Sequence, residues 1–132
     1  MKFLDARELS KIFSRYGLAI VFLIFGVEQT LFSEKWFAWT PTFISNFGLD
    51  RASFWLLVGT FNFIVGLLLV FGFITRISAA LAALHLLGVV ASIGYNDVAV
   101  RDIGLFFLAL AVLLNGPDRF SLDKFLSSRS DN

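Results

Sequence analysis

Cysteine is absent from the 132 residues. That excludes disulfides, a dithiol redox centre, iron–sulfur clusters and thiolate zinc within the chain. Histidine occurs once, at His85, so a multi-histidine metal site is excluded as well. Charge is scarce, at 16 % of residues and a formal net of +1. With no basic run and no zinc-ligand spacing, nothing in the sequence points to nucleic acid. There is also no set pairing a nucleophile with a base, so an independent catalyst is not expected.

What is abundant is apolar: 58 % of the residues, 17 of them Phe. These fall into four blocks, each about one bilayer long. Residues 53–74 and 77–96 carry no charge at all. Residues 17–32 are interrupted only by Glu28, and residues 98–115 only by Arg101 and Asp102 near their start. A membrane crossing takes about 20 helical residues at roughly 1.5 Å each. Helices of soluble domains keep one polar face, whereas these blocks are apolar all round, so the chain reads as an integral membrane protein. No small-x-small cleavage site follows the first block, so it reads as a span and not as a removable signal peptide.

The expected fold is an all-α, antiparallel four-helix membrane bundle forming a single domain over residues 1–132. Residues 1–15 show Phe3, Leu4, Ile12, Phe13 and Tyr16 at helical spacing among four basic residues, which reads as an amphipathic helix on the membrane surface. Residues 33–51 form the only long connection and hold Trp36 and Trp39, residues suited to the headgroup zone. Thr75-Arg76 is too short for anything but a hairpin between spans 2 and 3. Asp97 is the expected N-cap of span 4, and Gly116-Pro117 its stop. Residues 118–132 read as a polar tail, with Phe120, Leu122, Phe125 and Leu126 marking a second surface segment. Eight Lys and Arg fall on the side of the two termini and three on the other. The positive-inside rule then puts both termini in the cytoplasm, which requires an even number of spans.

Small residues four apart on span 3 (Ser78/Ala82, Ala79/Ala83, Gly88/Ser92) and Gly59, Gly66 and Gly72 on span 2 are expected at helix–helix contacts. The same small-residue face of span 3 is the candidate surface for a homodimer. The Phe residues read as lipid-facing bulk and core filling.

Polar residues inside a bilayer are costly, so they are the candidate site. Helix rise places Glu28 ~16–18 Å along span 1, in the outer half, with Gln29 beside it. Arg101 and Asp102 lie within ~6 Å of the outer start of span 4. Asn62 and His85 fall near mid-membrane, ~13 and ~12 Å along their spans. A Glu28–Arg101 pair supported by Gln29 or Asp102 is expected, either as a structural staple or facing a cavity that binds an anionic or carbonyl-bearing ligand. Asn62 could bond His85, either as a packing contact that glues two spans or beside an imidazole that meets a quinone carbonyl or passes a proton.

Several stretches resemble the DoxX / DoxX-like family of small four-span membrane proteins. They are Arg15 with Phe22-Leu23-Ile24-Phe25-Gly26-Val27-Glu28-Gln29, Gly59 through Gly72 with Phe73-Ile74-Thr75-Arg76, Val100-Arg101-Asp102-Ile103-Gly104-Leu105, and Gly116-Pro117-Asp118-Arg119-Phe120-Ser121-Leu122-Asp123. The resemblance implies the four-span fold and a quinone-linked or redox-accessory role; the cofactor stays open, with none covalent expected and a quinone or lipid as the candidate ligand. Three functional readings follow. One is an accessory or anchor subunit of a membrane redox partner, with a polar pocket opening to the outer face. The second is a small permease or ligand-binding membrane protein, and the third a purely structural or assembly protein.

Overall fold

The computed structural model describes residues 5–130. Five α-helices account for most of it: α1 (Ala6–Leu31), α2 (Arg51–Phe71), α3 (Thr75–Ile93), α4 (Asp97–Asn115) and the short α5 (Leu122–Ser130). Two 3-10 turns, Ser33–Trp39 and Thr42–Phe47, fill the connection between α1 and α2. α1, α2 and α3 are each long and apolar enough to cross a membrane. Large side chains such as Leu56, Leu57, Ile64, Leu84 and Phe107 remain exposed, which suits lipid as the surrounding medium. α4 opens with Asp97, Arg101 and Asp102 in its first two turns.

α1 begins where the Asp5 carboxylate accepts from Glu8 N–H at 2.9 Å. It then runs unbroken to Leu31. The separate surface helix expected over residues 1–15 is therefore corrected for its described part: Ala6–Arg15 is the first stretch of the same helix that carries the apolar block. No breaker separates the two, and residues 1–4 lie outside the described residues. At the start of α4 the cap is Asn96, whose side chain accepts from Ala99 N–H at 2.9 Å, and not Asp97.

Without a hydrophobic reason to associate in lipid, helices gain from close backbone approach. α1 and α2 show this most strongly and share the most extensive packing in the molecule, followed by α3 on α4. A Cβ on Gly26 would sit 2.6 Å from the Phe63 backbone nitrogen, one on Gly59 2.8 Å from Thr30 N, and one on Gly66 2.9 Å from Leu23 N. The α2–α3 and α1–α4 pairs touch more sparingly. Ala79, Ala82 and Ala83 on α3 are buried with Leu18 and Phe22 of α1 and Val65 and Leu69 of α2. Gly88 departs from expectation, because a Cβ there would meet nothing within 4 Å.

The start of α1, the α2–α3 turn and the segment after α4 meet at one end of the molecule. Arg15, read from sequence as part of a surface segment, is 1 % exposed. Its Nε donates to Asp118 Oδ2 at 2.6 Å and its Nη2 to Asp118 Oδ1 at 3.1 Å. Its Nη1 donates to the carbonyls of Leu69 and Val70, both at 2.7 Å. Those carbonyls belong to the last turn of α2, where intrahelical donors run out and the helix dipole is negative; Leu69 O also accepts from the capping Gly72 N–H at 3.2 Å. Gly72 ends α2 with φ 69°, and Phe73 N–H donates to Leu68 O to complete the cap. Gly72 also lies directly against Ser121, so no side chain fits there.

The next turn is strained. Ile74 sits at φ 43°, ψ 50°, a left-handed conformation unfavourable for a β-branched residue. Asp123 holds it: its carboxylate accepts from Ile74 N–H and Thr75 N–H, both at 2.7 Å, at the positive start of α3. Asp123 N–H donates back to Gly72 O at 2.9 Å. The segment expected to be a polar tail is thus a strap, with Asp118 and Ser121 both buried.

Candidate functional site

The other end of the molecule is built differently. Phe22, Phe25 and Gln29 of α1, Phe54, Trp55, Val58 and Asn62 of α2, Leu84, His85, Leu86, Gly88, Val89, Ser92 and Ile93 of α3, and Val98, Arg101 and Asp102 of α4 enclose a cavity of about 310 Å³. The α1–α2 connection forms a further wall through Trp36, Trp39, Pro41 and Phe43. All three Trp residues of the chain line it.

The aromatic side chains form a continuous series. The Arg101 guanidinium lies 4.9 Å from the centre of the Phe25 ring, a cation–π contact tying α4 to α1. Phe25 meets Trp36 edge-on at 5.5 Å, Trp36 meets Trp55 at 5.6 Å, and Trp55 meets Phe54 at 5.1 Å. Trp55 Nε1 donates to Thr40 Oγ1 at 2.9 Å, which anchors the connection over the cavity. Trp36 and Trp39, expected as headgroup anchors, are therefore cavity walls. Phe22, Phe25, Phe43 and Phe54, expected as lipid-facing bulk and core filling, line it too, and Phe22 is also part of the buried core.

Five of the six residues singled out from sequence come together here: Gln29, Asn62, His85, Arg101 and Asp102. Glu28 does not line the cavity. Two expected pairings are corrected. Arg101 pairs with Asp102 and not with Glu28, its Nη2 and Nε each 3.2 Å from Asp102 Oδ1. Folding the guanidinium back onto its own helix matches the charge of a nearly buried carboxylate, and half of the Arg101 side chain stays accessible. Asn62 donates to Gln29 Oε1 at 2.7 Å and not to His85. His85 sits between the rings of Phe61 and Phe22, 5.2 and 6.2 Å away.

Two cavity residues keep a buried polar atom without a partner among the described residues: Trp36 Nε1, a donor, and Asn62 Oδ1, an acceptor. Leaving such groups unpaired costs about 1–3 kcal/mol each. Both belong to residues that line the cavity, so a turn of either side chain would bring a polar atom to a bound molecule. Among the described residues no cluster of His, Asp and Glu could hold a metal ion.

The DoxX family's sequence model matches residues 10–94, well over half of the chain. The chain belongs to the DoxX family. No curated protein matches it, and no solved structure does. In this DoxX protein the matched stretch supplies every cavity residue except those of α4. The fourth-block and closing motifs lie beyond the match. The structure gives the closing motif a clear role, because Asp118 pairs with Arg15 of α1 while Ser121 and Asp123 lie against the turn after α2.

Proposed function

We propose that this DoxX protein is an accessory or anchor subunit of a membrane redox system, holding a quinone or similar lipid-soluble ligand. In this reading it is a single four-span domain in the cell membrane, α4 being the fourth span of an antiparallel bundle and both termini cytoplasmic. The eight-to-three bias of Lys and Arg supports that orientation. The cavity then lies in the outer half of the bilayer, walled on the aqueous side by residues 33–47.

The observation that carries the reading is the cavity. It brings an aromatic enclosure together with Gln29, Asn62, His85 and Arg101, and it leaves one donor and one acceptor unpartnered. Small-molecule sites combine mostly apolar walls with a few convergent polar groups in this way. The chain supplies no catalytic set, so electron transfer belongs to the partner. A permease reading is weaker, since Arg15, Asp118 and Asp123 close the opposite end of the molecule.

Native mass spectrometry of the protein purified in mild detergent tests the reading. A retained mass matching a quinone is expected, and Asn62→Leu should lose it. A clean, folded, ligand-free chain under conditions that preserve the fold would instead favour a purely structural or assembly role.

A further inference from the structure

The walls of the cavity are not equally closed. On α3, Leu84, Gly88 and Ser92 recur every four residues, line the cavity and are exposed. Residues that line a cavity and are also exposed mark an opening; Trp39, Phe43 and Arg101 mark one beside the α1–α2 connection, and this row marks a second on the flank of α3. α3 packs extensively on α4 but only sparingly on α2, which supplies Phe54, Val58 and Asn62 to the same space. A Cβ on Gly88 would meet nothing within 4 Å, whereas Gly26, Gly59 and Gly66 are all pressed against the neighbouring helix. Both α2 and α3 are helices fit to cross a membrane, so a gap between them faces lipid.

We propose that the cavity loads sideways from the bilayer, through a mouth between α2 and α3 at Gly88. Its occupant is an uncharged amphiphile with an oxygen-bearing ring as head and an apolar tail left in the mouth. The neutrality follows from charge matching, since Arg101 is already balanced by Asp102. The oxygens follow from the orphan atoms: Trp36 Nε1 needs an acceptor and Asn62 Oδ1 needs a donor. The amide pair can serve either form of such a head. Turning both amides over makes Gln29 the donor and leaves Asn62 presenting an N–H in place of its oxygen. A quinone, which only accepts, and a quinol, which also donates, are then both satisfied. The tail follows from the mouth itself, edged by Leu84, Phe54 and Val58. This inference rests on the quinone-binding reading for its ligand, but the mouth can be tested without one.

Every Trp lines the cavity, so Trp fluorescence of the whole chain in phosphatidylcholine vesicles reports on it directly. With lipid brominated near the middle of its acyl chains, quenching should be strong in wild type and clearly weaker in Gly88→Phe or the smaller Gly88→Leu. Gly104→Phe is the control: it too adds bulk where a Cβ meets nothing within 4 Å, but it is not a wall of the cavity, and it should behave as wild type. Equal quenching in wild type and both Gly88 variants, with helix content unchanged by circular dichroism, overturns the side mouth. In the second arm a decyl-tailed benzoquinone is titrated into unbrominated vesicles. Saturable quenching is expected, with the half-saturating concentration raised about tenfold or more in Gly88→Phe. If wild type shows no saturable quenching, the quinone assignment fails, and the brominated lipid still decides the mouth.

Discussion

The two ends of this molecule solve opposite problems. At the end where the strap lies, polar groups are buried and almost all engaged: Arg15 makes four hydrogen bonds, Asp123 caps α3, and only Thr75 Oγ1 lacks a partner among the described residues. At the cavity end aromatic side chains surround an open space, and two of the lining residues keep a buried polar atom without a partner among the described residues. A charged group inside low-dielectric surroundings is tolerable only when its partners are complete. The strap end therefore reads as the part that fixes the helices in place, and the cavity end as the part kept open for something else. If that division is right, substitutions at the first end should change stability, and those at the second should change binding.

The largest effect is expected at Arg15. Arg15→Leu leaves the Asp118 carboxylate buried without its guanidinium and takes a hydrogen bond from each of two α2 carbonyls, so a loss of about 3–5 kcal/mol is expected. Denaturant-induced loss of helical circular dichroism in detergent measures it. Adding Asp118→Leu should recover a good part, because the isolated charge rather than the missing pair carries most of the cost. A single variant as stable as wild type would remove the distinction between the two ends.

A smaller effect is expected at the turn. Asp123→Ala removes two hydrogen bonds from the start of α3 and the restraint on a left-handed Ile74. A cost of about 1–3 kcal/mol should show in the same unfolding assay. Ile74→Gly in that background should restore some stability, since glycine adopts this conformation without strain. Failure of the glycine to help would mean the turn carries no strain worth relieving. Gly66→Val tests the closest helix pair, and overpacking against Leu23 should cost about 1–3 kcal/mol.

How much of this could be read beforehand differs between the ends. The apolar blocks follow from run length alone, and the glycines on α2 from their spacing. Five of the cavity residues were accessible because polar side chains in apolar blocks are conspicuous. The strap was not accessible. Arg15 and Asp118 are 103 positions apart, and each sits where a juxtamembrane charge is ordinary. Trp36 and Trp39 were open to a second reading for the same reason, since Trp is equally at home among headgroups. The mistaken pairings have a single cause. Helix rise gives depth but not direction: adjacent positions point about 100° apart around a helix with 3.6 residues per turn. Glu28 and Gln29 share a depth, yet only Gln29 turns inward to Asn62.

Within the cavity, Asn62→Leu should separate the two properties. An interhelical hydrogen bond in a membrane protein contributes about 0.6 kcal/mol on average, so unfolding should change by less than about 1 kcal/mol. Quinone-induced quenching of Trp fluorescence should weaken about tenfold, the loss of one good hydrogen bond in a dry site. A large stability loss with unchanged binding would make the Gln29–Asn62 pair part of the framework.

The smallest effect is expected at Glu28, the residue the sequence made most conspicuous. It lies one position from Gln29 but is not a wall of the cavity, and Arg101, its expected partner, is engaged by Asp102 and Phe25. Glu28→Gln keeps the shape and removes the charge. Stability should move by no more than about 0.5 kcal/mol, and quinone affinity should stay within twofold or so. Arg101→Gln is the informative partner to this variant. It strips Asp102, which is nearly buried, of its charge balance and removes the contact with Phe25, so binding should weaken while Glu28→Gln leaves it untouched. Equal weakening in the two single variants, with no further loss when they are combined, would show that Glu28 and Arg101 act as one unit after all. That result would move the working boundary of the cavity outward to include Glu28.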